Sequence, residues 1–454
     1  MDALTYVQTH RDAFLEDLRE FLRIPSISTT PEHAADMARA AEWLADYMRD
    51  MGLEHVQIIP TAGHPVVYAS YTTQRPNAPT LLVYGHYDVQ PEDPRELWHS
   101  DPFEPTVRGE YLYARGATDM KGQIMAVLAA VQAALQTGEL PVNVKFMIEG
   151  EEEIGSPSLA AVIREHRDLF AADVSLNPDA GMLAPDKPTI TYALRGLAYF
   201  ELWVYGPKQD LHSGLFGGVV HNPAQALAEL LAGMHDASGR VTLPGFYDAV
   251  RPLDEEERAE LARLPQDEQF FLEHTGVPAL WGEPEYTPVE RVTARPTLEI
   301  NGLLSGFTGE GAKTVIPSKA MAKISMRLVP DQRPEEVHRQ LLRYLEDHAP
   351  NTIRWEVKAM HGAPPAMTDR RSPWVQALAR ALEATWHTRP LFKREGGTIP
   401  VVALLKEILG MDSVLTGFAL PDDNMHAPNE RLHLPTWYKG IEALVRYWQE
   451  VGGK

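Results

Sequence analysis

Apolar residues in the first third of the chain follow two different patterns. They return every three or four positions between Leu4 and Phe21 and between Met37 and Met48, which is typical of helices with one buried face. The short runs TLLVYG, VNVKFMI and ADVSL are rich in branched residues and lack strict alternation, as strands buried on both faces do. A helical pattern over 122–135 separates the first two runs. The order predicts an α/β domain with a mainly parallel sheet.

The pattern changes near residue 190 to the order β-α-β-β-α-β, which is that of a ferredoxin-like sandwich. These elements are predicted at 190–206, 223–234, 297–301, 320–329, from Pro334 onward and at 352–360. After them the chain returns to α/β character. We therefore expect a second domain over 190–389 inserted into a first domain made of 1–189 and 390–454. A charged helical stretch over 253–274 carries no motif that assigns it a role.

Composition narrows the class of protein. The length of 454 residues suits two domains with separate cores, and the net charge of −21 would repel nucleic acid and anionic lipid. There is no cysteine, so a metal ion would need His, Asp or Glu ligands. The N-terminal stretch is amphipathic and acidic, unlike a signal peptide, and the most apolar window, 124–135, is too short to cross a bilayer. We expect a cytoplasmic enzyme with no nucleic-acid partner and no membrane partner.

Polar side chains follow several predicted strands at the point where each strand ends. His86 and Asp88 come after TLLVYG, and Asp179 comes after ADVSL. Asp119 directly precedes the next helix, and His426 lies in the loop DDNMHAPNE. Each has a simple structural explanation by itself, such as a loop cap or a helix N-cap. Because open α/β sheets position ligands at the carboxyl ends of their strands, these residues could also converge on one site.

An acidic run, EGEEEIGS, directly follows the strand VNVKFMI. Its carboxylates at Glu149, Glu151, Glu152 and Glu153 repel one another, and a cation, protonation or solvent must relieve that repulsion. A solvated acidic turn and a metal site are both compatible with this run. The mixture of carboxylate and imidazole groups in these segments suits zinc, manganese or cobalt.

Eight segments resemble, in order, motifs of the M20 metallopeptidase family, and within it those of the nonspecific dipeptidase and carnosinase group. They are GHYDVQP, RGATDMKG, EGEEEIGS, DLHSG, KTVIP, SMRLVP, REGGTIP and DDNMHAPNE, and they extend over most of the chain. The resemblance implies a peptidase in which a metal-activated water cleaves dipeptides or short peptides. It also implies a di-metal α/β domain with an inserted ferredoxin-like lid and dimerisation domain.

The resemblance assigns roles to residues of the first domain. It implies two divalent metal ions per subunit, zinc foremost with manganese or cobalt as alternatives. His86 and Asp179 would bind one ion, Glu153 and His426 the other, and Asp119 both. Glu152 would be the general base, and Asp88 would orient His86. Glu151 could be mistaken for the base, but the family's pair directly precedes x-G-S, which here gives Glu152 and Glu153.

The remaining roles fall on the second domain and on a late loop. His212 in DLHSG would act on the active site of the partner subunit, so the resemblance implies a homodimer. The carboxylate of a small peptide substrate would be bound by Arg327, Thr314, Gly396, Gly397 and Thr398.

Two alternatives remain beside the dipeptidase. One is an N-acyl amino acid deacylase or desuccinylase with the same metal centre, which differs in requiring a blocked amine. The other is a binding protein that has kept the fold and lost catalysis, which the complete set of expected ligands disfavours. Serine hydrolase and nucleotide-binding functions are set aside because G-x-S-x-G, P-loop and dinucleotide fingerprints are absent from the sequence.

Overall fold

The structure is a computed structural model, and it describes residues 1–397 and 399–453. Thr398, one of the predicted substrate-binding residues, lies outside the described residues. The helices are α1 (Ala3–Thr9), α2 (Arg11–Leu22), α3 (Ala34–Asp50), α4 (Lys121–Gln136), α5 (Leu159–Glu165), α6 (Arg167–Phe170), α7 (Ser213–Phe216), α8 (Pro223–Ala232), α9 (Glu255–Leu261), α10 (Glu268–Thr275), α11 (Pro288–Ala294), α12 (Pro334–His348), α13 (Pro373–Trp386), α14 (Pro400–Leu409) and α15 (Leu434–Gly452).

The strands, in the same order, are β1 (Glu54–Ile59), β2 (Val66–Tyr71), β3 (Thr80–His86), β4 (Thr106–Arg108), β5 (Tyr111–Tyr113), β6 (Asn143–Glu149), β7 (Val174–Asn177), β8 (Thr189–Leu194), β9 (Gly196–Tyr205), β10 (Leu211–His212), β11 (Thr297–Ser305), β12 (Val315–Ile316), β13 (Lys319–Leu328), β14 (Arg354–Ala363), β15 (Ala366–Met367), β16 (Leu391–Glu395), β17 (Ser413–Leu415) and β18 (Arg431–His433). Among the described residues, no helix has the length and apolar character needed to span a membrane.

The chain forms two compact units. Unit 1 consists of Met1–Tyr192, Thr368–Lys393 and Pro400–Lys454, and unit 2 consists of Ala193–Met367 and Arg394–Ile399. The sequence suggested an inserted domain over 190–389, and the units differ from it mainly at the second boundary. Residues 368–393 belong to unit 1 because the apolar face of α13 packs against α15, and the short return over 394–399 belongs to unit 2.

Unit 1 is built on a sheet with the strand order β1-β2-β6-β3-β7-β17-β8. The central strands β6, β3, β7 and β17 are parallel, and antiparallel strands flank them on both sides. The α/β class is therefore confirmed, with a mixed sheet whose centre is parallel. The central strands are almost entirely buried, as their apolar runs predict. Because these strands are parallel, their carboxyl ends lie at the same edge of the sheet.

Helices and a small second sheet complete unit 1. α4 is buried along most of its length and packs against α1, α2 and α15. The apolar face of α15, which includes Trp437, Ile441, Leu444 and Trp448, is buried, and Trp437 donates from its indole nitrogen to the Gly122 carbonyl oxygen at 2.7 Å. A separate sheet of order β18-β5-β4 brings the segment before β18 next to the segment after β5.

Unit 2 contains an antiparallel sheet with the order β11-β13-β9-β14. Along β9 buried residues alternate with half-buried ones, as in a strand with one covered face. The covered face packs against α8 and α12. The core there includes Phe200, Leu202, Leu227, Leu230, Ile324, Met326, Leu341 and Tyr344. The chain order of these strands and helices is the ferredoxin-like order predicted from sequence.

The single long strand predicted over 190–206 was wrong. The chain forms two strands, β8 and β9, with Arg195 between them. Arg195 donates its backbone N–H to the Glu395 carbonyl oxygen at 3.2 Å. A Cβ atom at Gly196 would lie 2.5 Å from the Ala363 carbonyl oxygen, so glycine permits the close approach of two backbones here. Apolar residues on both sides of this break hide it in the sequence pattern.

Candidate metal centre

Loops at one edge of the central sheet of unit 1 carry the candidate metal ligands. His86 is the last residue of β3, and the acidic run 151–153 follows β6. Asp179 follows β7 by two residues, and His426 lies in the loop between β17 and β18. Asp119 lies two residues before the start of α4. The structure therefore brings these loops together, as the positions after the strands suggested.

Asp119 lies between two groups of ligands. Its Oδ1 is 3.2 Å from His86 Nε2, and its Oδ2 is 2.8 Å from His426 Nε2. Asp179 Oδ2 lies 4.0 Å from His86 Nε2, and Glu153 Oε2 lies 3.4 Å from His426 Nε2. The ligand atoms of His86, Asp119 and Asp179 all lie within 4.8 Å of one another, as do those of Asp119, Glu153 and His426. A carboxylate shared by two such trios is suited to bridging two cations.

The polar atoms of this cluster fit a metal centre. Within the described residues, Glu153 Oε1 is buried without a hydrogen-bond partner, and the buried His86 Nε2 makes no hydrogen bond of good geometry although Asp119 Oδ1 lies 3.2 Å away. Buried polar atoms in folded proteins nearly always have a partner, and a buried atom without one calls for an explanation. Imidazole nitrogen and carboxylate oxygen are ligands that zinc, manganese and cobalt accept. A cation bound among these residues would therefore be the missing partner of these two atoms.

The carboxylates of this cluster repel one another. Burial and then the charge of Asp119 raise the pKa of Glu153 to about 8 and that of Asp179 to about 7. Burial also raises the pKa of Glu152. Burial alone would raise the pKa of Asp119 too, but its contacts with the two histidines outweigh burial and lower it. A cation would relieve the repulsion that disfavours the charged carboxylates.

The two histidines face these carboxylates in different settings. His86 is fully buried, which by itself would lower its pKa, but Asp119 and Asp88 outweigh burial and raise it well above its ordinary value. The half-exposed His426 has a pKa raised to about 9, mainly by its contact with Asp119. His426 also has a backbone φ of +59°, a left-handed conformation that is sparsely populated by residues other than glycine and clusters at functional sites.

Asp88 contacts both His86 and the turn that carries the acidic run. His86 Nδ1 lies 3.0 Å from the Asp88 backbone oxygen and 3.3 Å from Asp88 Oδ1. The carboxylate accepts hydrogen bonds from Ser28 Oγ at 2.7 Å, from Glu153 N at 3.1 Å and from Glu152 N at 3.3 Å. Asp88 is therefore positioned to fix the ring of His86 and the start of the turn together.

Neighbouring glutamates of the acidic run point in different directions. Glu151 is buried, and its two oxygens accept hydrogen bonds from His64 N at 3.0 Å and Ser158 N at 3.1 Å. Glu152 Oε2 instead lies 3.9 Å from His86 Nε2. The acidic run therefore presents Glu152 and Glu153 to the cluster, while Glu151 holds neighbouring backbone.

Unit 2 contains the other predicted site residues in two places. His212 is exposed at the end of β10, and its Nδ1 accepts a hydrogen bond from Gly214 N at 2.9 Å. β10 pairs with β12, and Ser213 N donates to the Thr314 carbonyl oxygen at 3.1 Å. His212 and Thr314 are thus neighbours on one exposed ribbon.

Arg327 lies on β13 close to Arg195, a residue that the sequence did not single out. Arg195 donates from Nε to the Gly396 carbonyl oxygen at 3.2 Å, and Gly397 follows in the same loop. Burial and the charge of Arg327 lower the pKa of Arg195 to about 10. The two arginines line a cavity of about 480 Å³ together with Phe271, which comes from the charged stretch that carried no motif.

Sequence reasoning also gave no role to Glu430, although it belongs to the motif DDNMHAPNE. Glu430 is fully buried, and its carboxylate accepts a hydrogen bond from the backbone of Asp119, 311 positions earlier. A glutamate in a polar loop carries no local signal that names so distant a partner, so the sequence could not have identified this contact.

The strand ends of the α/β sheet gather two trios of His and carboxylate side chains around a shared aspartate, an arrangement suited to a metal-dependent hydrolase. The model of Peptidase family M20/M25/M40 matches residues 82–450 of the chain. The chain belongs to this family and is a peptidase, as the resemblance of its motifs predicted.

Similar proteins agree with this assignment. The chain is 32% identical over 469 residues to the Beta-Ala-His dipeptidase of Homo sapiens, with 98% of this chain and 91% of that protein covered. It is 30% identical to the Cys-Gly metallodipeptidase DUG1 of Candida albicans, with 98% and 96% covered. Among solved structures, an M20 family metallo-carboxypeptidase, Sso-CP2 from Sulfolobus solfataricus, is 36% identical with a TM-score of 0.82, and 97% of this chain and 99% of that chain are covered.

Proposed function

We propose that the protein is a metal-dependent dipeptidase with two divalent ions in unit 1. The observation that carries the proposal is the position of Asp119, whose two oxygens lie near different histidines. The similar proteins described as Beta-Ala-His and Cys-Gly dipeptidases support dipeptides as the substrate class. Zinc is the first candidate for the ions, and manganese and cobalt are the alternatives because the same ligands accept them.

Each candidate ligand has a definite role in this proposal. His86 and Asp179 would hold one ion, Glu153 and His426 the other, and Asp119 would touch both. Bound divalent ions would supply Lewis acidity, polarising the scissile carbonyl and lowering the pKa of water from 15.7 to about 7. The protein supplies the fixed positions of its ligands.

Glu152 is the proposed general base. It would accept a proton from the attacking water and deliver it to the departing amine. Its Oε2 lies 3.9 Å from His86 Nε2, and burial raises the pKa of its carboxyl, which is the direction that brings a carboxylate toward the working pH of a base. Asp88 would keep Glu152 in place through its hydrogen bond to the backbone N–H of that residue.

Arg327 is proposed to bind the free carboxylate of the substrate, because a guanidinium can donate two parallel hydrogen bonds to it. The neighbouring Arg195 adds positive charge and holds the carbonyl oxygen of Gly396. Gly397, Thr314 and Thr398 are the further proposed contacts, and the last of these lies outside the described residues.

A second copy of this chain is the proposed partner, with His212 acting on the partner's active site. Large apolar side chains are exposed in unit 2, where Val219 is 87% exposed, Leu215 74% and Leu303 65%. Such side chains are available for another protein to cover. His212 and Thr314 lie together on an exposed ribbon, which supports a role outside their own subunit.

A carboxypeptidase or an N-acyl amino acid deacylase is the second candidate function. The similarity of the chain to the metallo-carboxypeptidase Sso-CP2 supports this second candidate. These enzymes accept a blocked amine, whereas a dipeptidase requires a free one.

The decisive experiment is a substrate panel assayed with zinc, manganese and cobalt in turn. The panel contains α-dipeptides, β-alanyl dipeptides, tripeptides and N-acetylated members. Turnover of free dipeptides that is abolished by N-acetylation and by a chelator is the expected result. Turnover of the blocked members would establish the second candidate instead, and no metal-dependent turnover of any member would overturn both.

A further inference from the structure

Each oxygen of the buried Glu430 carboxylate accepts two hydrogen bonds from the loop that carries Asp119. Oε1 accepts from Thr118 N at 2.9 Å and from Asp119 N at 3.0 Å. Oε2 accepts from Gly116 N and from the Arg115 guanidinium, both at 2.8 Å. Both oxygens are therefore occupied by this loop, and Glu430 is placed to hold it in shape.

Arg115 makes this contact rigid. Its side chain is 1% exposed, and its other terminal nitrogen donates to the Pro91 carbonyl oxygen at 2.9 Å. Charge-assisted hydrogen bonds are stronger than neutral ones, and removal of one partner from a buried ion pair leaves an uncompensated charge. The ion pair thus allows little displacement of either loop.

Glu430 also belongs to the loop that carries His426, four residues earlier. Its backbone oxygen accepts a hydrogen bond from Ala114 N at 3.2 Å, and β18 begins at the next residue and pairs with β5. Backbone pairing and the carboxylate therefore join the His426 loop to the Asp119 loop. Asp119 Oδ2 and His426 Nε2, which are 2.8 Å apart, belong to these two joined loops.

We propose that Glu430 is a positioning residue that sets the separation of Asp119 and His426, and through it the affinity for the ion that these two residues share with Glu153. The inference rests on the proposed two-metal function. Groups that hold metal ligands in place from outside the coordination sphere typically change metal affinity by about 10- to 100-fold when they are altered. Glu430 acts here on the backbone of one ligand and on the loop of another.

The variant Glu430→Gln tests the proposal at nearly constant side-chain volume. A glutamine has one acceptor oxygen, and whichever way its amide lies, the amide nitrogen is a donor that would face two of these four donors. We expect the affinity for the zinc ion held by Asp119, Glu153 and His426 to fall about 10- to 100-fold, with a smaller change for the ion held by His86, Asp119 and Asp179. Competition of zinc with a chromophoric chelator measures both steps without substrate, and metal content after gel filtration gives the stoichiometry.

The matched control is Glu283→Gln in unit 2. Glu283 is also buried and accepts hydrogen bonds from two arginines, Arg240 and Arg295. Both variants are expected to unfold at a lower temperature than the wild type, but only Glu430→Gln is expected to lose zinc affinity. If Glu430→Gln does not fold, Arg115→Lys tests the same contact, because lysine keeps the charge and loses the planar geometry. A several-fold loss of affinity is then expected.

The possible results separate the two proposals. Equal binding of both ions by the wild type and by the folded Glu430 or Arg115 variant would overturn the positioning role and leave the proposed function intact. A wild-type protein that binds no metal would overturn the proposed function itself.

Discussion

Two adjacent carboxylates of the acidic run, Glu151 and Glu152, have opposite surroundings. Glu151 accepts two backbone hydrogen bonds and serves as a structural brace, whereas Glu152 lies beside His86. The difference arises because the backbone turns sharply after β6 into a 3-10 helix over Glu152–Ile154, which breaks the alternation of a strand. Two chemically identical side chains are therefore expected to tolerate the same substitution very differently.

We predict that Glu152→Gln lowers kcat by about 10²- to 10⁴-fold, because a positioned acid-base group contributes about that much in rate. Bound metal should remain unchanged, since Glu152 is not among the proposed ligands. Steady-state kinetics on a cleaved dipeptide, with metal content determined on the same sample, measures both quantities.

Glu151→Gln is the control at the neighbouring position. Its amide would leave one partly buried backbone N–H without an acceptor, which costs about 0.5–1.5 kcal/mol of stability. Its kcat should stay within a few-fold of the wild type. A loss of kcat in Glu151→Gln equal to that in Glu152→Gln would contradict the assignment of the base.

At the level of strands and helices, the sequence predicted the convergence of the candidate ligands better than it predicted the links between elements. The convergence of His86, Asp179 and the acidic run could be predicted, because carboxyl ends of parallel strands share an edge. The break at Arg195 could not, since it depends on a close backbone approach between Gly196 and Ala363. The contacts of Glu430 were equally hidden, because their partners are distant in sequence.

The clustering of ligands at strand ends leads to a prediction about pH. The pKa of Asp179 is raised to about 7, that of Glu153 to about 8 and that of His426 to about 9. All three groups must lose their protons to bind a cation, so binding should release protons between pH 6 and 9. Apparent metal affinity should therefore rise with pH, by about tenfold per pH unit for each proton released.

Titration calorimetry of zinc or manganese binding, in buffers with different ionisation enthalpies, counts these protons. The sign is fixed by the raised pKa values, because a proton that is bound more tightly competes more strongly with the cation. Affinity that stays constant from pH 6 to 9, with no proton release, would contradict the prediction that these three groups lose protons when the cation binds.

At the scale of the whole molecule, the chain passes between two units rather than forming them one after the other. The first crossing, near residue 192, could be predicted within a few positions because the pattern of elements changes there. The return of the chain to unit 1 at residue 368 could not be predicted. The apolar stripe of α13 predicts a buried face, but only the folded chain shows that α15 covers it.

The assembly of subunits allows a test of the proposed role of His212. If His212 acts on the partner's site, a dimer with one Glu152→Gln subunit and one His212→Ala subunit keeps one intact site, since the second subunit supplies Glu152 and the first supplies His212. Such dimers should have about half of the wild-type activity, because a twofold dimer has two equivalent sites. Co-expression with two different affinity tags isolates these mixed dimers, and each variant alone serves as the inactive control.

If His212 instead serves its own subunit, each site in the mixed dimer lacks one of the two groups. Mixed dimers no more active than either variant alone would therefore rule out action across the interface.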